Sequence, residues 1–225
     1  MIKKIILIST LTSTLLVAET MKEKGFFIGL DASTSSVNIA YEKKGSIIRA
    51  SNYESDDRTS NAALKVGYQY YFTRVYLRIN PSKTYKDQTS GYYEIKNQVV
   101  EMNIDYLPIF YIQEEQKWNI RGVVGLGIGV NKNGLVNYSK QNIDVYSNTA
   151  DPILNKETQY NMEYGYNIGL MSEFDFGLSA EIGYRFRTGL MGEYSDAVDG
   201  EGKTSYEAIF TLSTGEFYLG LNYLF

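Results

Sequence analysis

Ten ionisable residues recur at alternate positions within otherwise apolar stretches, and they are the groups best placed for chemistry. Lys65, Arg78, Arg121, Arg185 and Arg187 supply five cations, and Asp31, Glu101, Asp105, Glu163 and Glu181 supply five carboxylates. Glu163 and Glu181 could serve as a carboxylate pair for acid–base work. Balanced charge on one face points instead to a paired structural network, because an enclosed ion without a partner is very costly.

The catalytic inventory around them is thin. The 225-residue chain has no histidine and no cysteine. That removes the imidazole general base, Ser-His and Cys-His nucleophile pairs, and His or thiolate metal sites. It also removes a disulfide scaffold and a lipidated N-terminus. The run Gly125-Leu126-Gly127-Ile128-Gly129 is not a dinucleotide fingerprint, because the third glycine of G-x-G-x-x-G is missing and no helix follows. A period-two glycine row on a strand accounts for it better. Asp196-Ala197-Val198-Asp199-Gly200-Glu201 lacks the spacing of a calcium loop, and Tyr53-Glu54-Ser55-Asp56-Asp57-Arg58 reads as a solvated loop tip. No catalytic residue, metal site or cofactor is assigned.

The elements that would position the ten charges are strands. The last stretch alternates Phe217, Leu219, Leu221, Tyr223 and Phe225 against Tyr218, Gly220, Asn222 and Leu224, which is period two. Seven more alternating segments precede it, with apolar rows at Phe26–Leu30, Leu64–Tyr70, Val75–Ile79, Val100–Tyr106, Ile120–Val130, Met162–Leu170 and Leu178–Phe186. Upstream of the last row, Tyr206, Ala208, Phe210 and Leu212 alternate in the opposite phase. Ser213-Thr214-Gly215-Glu216 therefore reads as a bulge resetting the register, and a hairpin there would make nine strands. Short polar connections fall near 73–74, 113–117 and 173–175, and long polar ones near 35–60, 81–97, 131–158 and 190–204.

Met1 to Ala18 has the layout of a secretory signal, with Lys3 and Lys4 ahead of an apolar run too short to span a bilayer. The expected division is a signal peptide over 1–18 and a barrel over 19–225, with cleavage after Thr20 as the alternative. Loss of Lys3 and Lys4 takes the net charge from −4 to −6, which disfavours nucleic acid as a partner. Mean hydropathy is −0.27, far too polar for a helical membrane protein but compatible with strands greasy on one face.

Alternation alone leaves open a lipocalin-like barrel with its apolar face inward. Three features favour apolar outside. Gly29, Gly67, Gly125, Gly127, Gly129, Gly165, Gly169, Gly183 and Gly220 share the polar face, where a narrow barrel is crowded. The ten balanced charges share it too. Tyr68, Tyr70, Tyr106, Tyr164, Tyr166, Tyr184 and Tyr223 lie on the apolar face, where amphipathic rings suit the headgroup level.

Tyr218-x-Gly220-x-x-Tyr223-x-Phe225 resembles the C-terminal insertion signal of Gram-negative outer-membrane proteins. With eight strands in about 200 residues, the chain resembles the small OmpA/OmpX-type barrels. The resemblance implies an all-β, antiparallel up-and-down transmembrane β-barrel in the cell outer membrane, with short periplasmic turns and long extracellular loops. It implies outer-membrane lipid and the barrel assembly machinery as partners, a monomer, and loops available to a host or envelope surface ligand. The expected function is a non-enzymatic surface barrel with an envelope-structural or adhesion role. A narrow porin-like channel is the alternative, and a lipid A-modifying or protease-like enzyme a distant third, since the enzymes of that kind rely on histidine, which this chain lacks.

Overall fold

The computed structural model describes residues 24–43, 53–86, 93–113, 115, 117–138, 159–198 and 205–225. The proposed signal segment, 1–18, lies outside them.

Eight long strands close into a barrel: β1 (Lys24–Lys43), β2 (Tyr53–Tyr70), β3 (Thr73–Lys86), β4 (Tyr93–Tyr106), β6 (Trp118–Tyr138), β7 (Gln159–Phe174), β8 (Leu178–Val198) and β9 (Ser205–Leu224). Each pairs antiparallel with its neighbour in sequence, and the β1–β9 and β4–β6 ladders complete the circuit. Closure leaves no open sheet edge through the lower half of the wall, where every strand is laddered to both neighbours. The short strand β5 (Ile109–Gln113) continues the line of β4 past Leu107-Pro108 and pairs with the base of β6. It was not legible as a strand in its own right. Pro108 has no amide hydrogen to donate, and the wall breaks there.

All described short turns lie at one end. Tyr71 and Phe72 join β2 to β3, with Tyr71 in the left-handed region at φ 51°. Asp175 to Gly177 join β7 to β8, with Gly177 at φ 93°. The C-terminus is tied to the same rim: Leu224 N donates to Gly177 O at 2.8 Å and Phe225 N to Phe26 O at 2.8 Å. Two expected turns are thereby displaced, since Thr73 and Arg74 open β3 and Glu173 belongs to β7.

At the other end the strands run well into stretches expected to be loops. β1 reaches Lys43 and β2 starts at Tyr53, so Tyr53 to Arg58 is strand and not loop tip. β6 and β8 have 21 residues each, roughly 70 Å of extended chain at ~3.4 Å per residue, whereas about 9–11 tilted residues cross a bilayer. The extensions of β6 and β8 carry no apolar row, and a polar strand leaves no periodic signature in sequence, whereas β1 carries the short row Val37, Ile39 and Tyr41.

The expected bulge in β9 is absent. Its register against β1 is unbroken from Ala208 to Leu224, and Leu212 is buried inside the barrel. The irregularities sit across the ladder on β8, between Leu190 and Gly192 and between Tyr194 and Ala197.

The two faces separate cleanly. Leu126, Ile168, Ile182 and Leu221 are 66, 54, 59 and 59% exposed, while Arg121 and Arg185 are fully buried. The outer wall is an apolar belt with aromatic residues towards its limits. Tyr70, Tyr106, Tyr223 and Phe225 ring the short-turn side, and Tyr164, Tyr166 and Tyr184 stand higher on β7 and β8. Tyr166 stacks on Phe186 at 5.5 Å between centroids, and Tyr184 meets Phe217 edge-on at 4.9 Å.

Candidate functional site

The inward faces converge on an ionic lattice along the barrel axis. Asp31, Lys65, Arg78, Glu101, Asp105, Arg121, Glu163, Glu181, Arg185 and Arg187 all point inward and are buried. Arg74, Glu173 and Glu216 join them inside, giving six cations and seven carboxylates among the described buried residues. In sequence these three fall at the expected turns or in the expected bulge. Parity with Tyr76, Met171 and Tyr218 on their own strands is the signal that could have found them.

At the short-turn rim, Arg121 Nε lies 2.6 Å from Glu173 Oε2, and Arg121 Nη1 donates to Tyr71 O at 2.8 Å. Gln69 Nε2 and Asn119 Nδ2 donate to the same carboxylate at 2.9 and 3.1 Å. Just inside, Phe27, Tyr76 and Leu224 form one apolar cluster and Leu107, Val123 and Met171 another. The Arg74 guanidinium lies 5.1 Å from the Tyr76 ring centroid and 5.9 Å from that of Phe27.

The central layers hold most of the charge. Arg74 Nη2 bridges Asp105 Oδ2 at 2.7 Å and Glu181 Oε1 at 2.8 Å. Glu181 also receives Tyr218 Oη at 2.6 Å and Lys65 Nζ at 3.3 Å. Lys65 Nζ reaches Asp31 at 2.7 Å. Arg78 meets Asp31 at 3.2 Å, Glu101 at 3.1 Å and Glu216. Arg185 meets Asp31 at 3.1 Å and Glu216 at 3.3 Å, with its guanidinium 4.3 Å from the Tyr218 ring centroid. Arg74, Arg78 and Arg185 each face more than one carboxylate, which offsets the desolvation that makes an isolated buried ion so unfavourable.

Higher up, Arg187 Nη2 binds Glu101 at 3.0 Å, Asn103 at 2.7 Å and Asn167 at 2.8 Å. Above it Asn131 Nδ2 donates to Glu163 at 3.1 Å. Glu163 and Glu181 are not a catalytic pair. In the β7–β8 ladder Glu163 stands opposite Gly189 and Glu181 opposite Met171, so their levels on β7 are eight residues, about 27 Å, apart.

The inward glycines give this lattice its room. A Cβ on Gly127 would lie 2.6 Å from Arg187 Nη2 and 2.5 Å from Asn103 Oδ1, and one on Gly125 would run into the Asp105 carboxylate. β6 is the smooth wall against which the long side chains of β4 and β8 fold.

Several contacts cross the bore rather than follow the wall. In circuit order, β3 and β8 are four steps apart in a ring of eight, with three strands between them on either side, as are β2 and β7. Arg74–Glu181 and Gln69–Glu173 therefore span the full diameter, and both are hydrogen bonds under 3 Å. The motif residues at the C-terminus divide by face: Tyr218 and Gly220 are buried inside, and Tyr223 and Phe225 are exposed outside.

No protein-family model and no curated protein matches the sequence. Solved structures do. Neisserial surface protein A aligns over 89% of this chain and 97% of its own at 13% identity, with a TM-score of 0.50. The outer-membrane protein AlkL, solved in lipid bilayers, aligns over 91% of this chain and 92% of its own at 12% identity, with a TM-score of 0.51. This is the fold of the small outer-membrane barrels. The barrel carries its apolar belt outward and its ions inward, the orientation that fold needs in hydrocarbon.

Proposed function

We propose that the protein is a non-enzymatic outer-membrane barrel whose bore is a structural plug and whose tall strands hold surface loops for contact with the envelope, a host or neighbouring cells. The observation that carries this reading is the Arg74–Glu181 bridge across the bore. A narrow channel needs a wetted path with sites weak enough to release an ion, and fixed ion pairs between opposite walls supply the reverse.

The extended walls support the display role. β1, β2, β8 and β9 are 20, 18, 21 and 20 residues long, so connections start well clear of the membrane surface. Neisserial surface protein A is by its name a surface protein, in keeping with such a role. In the same reading the barrel acts as a monomer, and Tyr218, Gly220, Tyr223 and Phe225 present the insertion signal to the assembly machinery.

Single-channel recording in planar bilayers tests the plug. The purified barrel is expected to give no reproducible conductance steps at moderate voltage. Discrete steps from the wild-type protein overturn the plugged reading in favour of a pore.

A further inference from the structure

The outer wall of β4, β6 and β7 changes character over a single step at the limit of the belt nearer the long connections. Val100, Val130 and Met162 stand in register as the last apolar row. The next outward row is Gln98, Lys132 and Tyr160, again in register, and Lys96 follows one step beyond on β4, opposite Gly134. Lys96 and Lys132 are thus diagonal neighbours on one outward face, with Cβ atoms about 7 Å apart. Lys132 Nζ lies 5.8 Å from the Tyr160 ring centroid, and Tyr160 is 68% exposed. Among the described residues neither lysine has a carboxylate partner.

Two ammonium groups at this spacing repel each other, and an anion held between them reverses the sign of the interaction. Their depth identifies the anion. One strand step beyond the hydrocarbon belt is the headgroup level, where lipid phosphates lie. A phosphate offers enough acceptor oxygens to meet both ammonium groups and the Tyr160 hydroxyl together. We propose that Lys96, Lys132 and Tyr160 form a binding site for the phosphate of a lipid headgroup in the leaflet nearer the long connections. This rests on the membrane placement given above and assigns the belt a specific lipid contact.

Native mass spectrometry of the full chain in detergent, titrated with diphosphoryl lipid A or with its dephosphorylated form, tests the site. The wild type is expected to prefer the diphosphoryl form by roughly tenfold or more, the scale of two cations acting near an anionic surface. The double variant Lys96→Gln/Lys132→Gln is expected to lose that preference. Lys117→Gln, at the opposite rim where Lys117 lies 3.6 Å from Asp175, is expected to keep it. An unchanged preference in the double variant overturns the proposal. So does displacement of the lipid by millimolar inorganic phosphate, which would mark a site for free anions. Folding into phosphatidylcholine vesicles, followed by heat-modifiable gel mobility, checks membrane placement separately. A barrel that folds there without any phosphate preference sinks the lysine site alone.

Discussion

Arg74 on β3 and Glu181 on β8 stand on diametrically opposite walls, and their side chains meet at 2.8 Å. The barrel is therefore braced across its bore as well as hydrogen-bonded around its circumference. Glu181 is a principal node of the brace, since Lys65, Arg74, Tyr218 and Asn222 all converge on its carboxylate.

Removing that node leaves Lys65 with Asp31 and Arg74 with Asp105 as their remaining carboxylates. Glu181→Ala is expected to destabilise the folded barrel by about 3–5 kcal/mol, the size seen when one partner of a buried ion pair is deleted. Urea unfolding in lipid vesicles, followed by tryptophan fluorescence of Trp118, measures it. A loss below about 1 kcal/mol, typical of an exposed pair, would mean that the network is solvated.

Space inside the bore is as restrictive as charge. Gly125→Val places its Cβ against Asp105 Oδ1 and 2.7 Å from Ile104 O. Overpacking of this kind costs about 1–3 kcal/mol, and Asp105 would also be pushed from its 2.7 Å pair with Arg74. The same unfolding assay should show Gly125→Val clearly weaker than Leu126→Val next to it, whose side chain is 66% exposed on the outer wall. Equal stability for the two variants would place the crowding elsewhere.

The orientation of the belt has its own test. Leu126→Arg puts a cation on the outer wall within the apolar row of Val124, Leu126 and Ile128, where arginine costs roughly 2–4 kcal/mol at the bilayer midplane. The folded fraction in vesicles should fall, and should recover in thinner bilayers, where Leu126 lies nearer an interface. A variant that folds as well as wild type in all lipids would put Leu126 outside hydrocarbon.

Much of the wall can be read directly from the chain. Leu64, Val66, Tyr68 and Tyr70 alternate with Lys65, Gly67 and Gln69, and period two with one buried face leaves only two choices of side. The inward ionic residues follow from the same alternation wherever an apolar partner row runs beside them. Arg74, Glu173 and Glu216 were missed because each lies where that row gives way to a turn or changes phase. The upper halves of β2, β6 and β8 carry no apolar row to mark them, whereas β1 does carry one, Val37, Ile39 and Tyr41, in the opposite phase to Phe26, Ile28 and Leu30.

What sequence alone determined, then, was a barrel wall and its two faces, since both follow from local periodicity. Which ions meet was decided only by closure. Arg74 and Glu181 are 107 positions apart, and nothing in their neighbourhoods announces the other. Closing eight strands into one ring brings β3 and β8 to opposite ends of a diameter short enough for two side chains to span. The glycines of β6 leave the remaining space to Arg187 and Asp105. The bracing across the bore is thus a property of the finished ring, and no stretch of chain contains it.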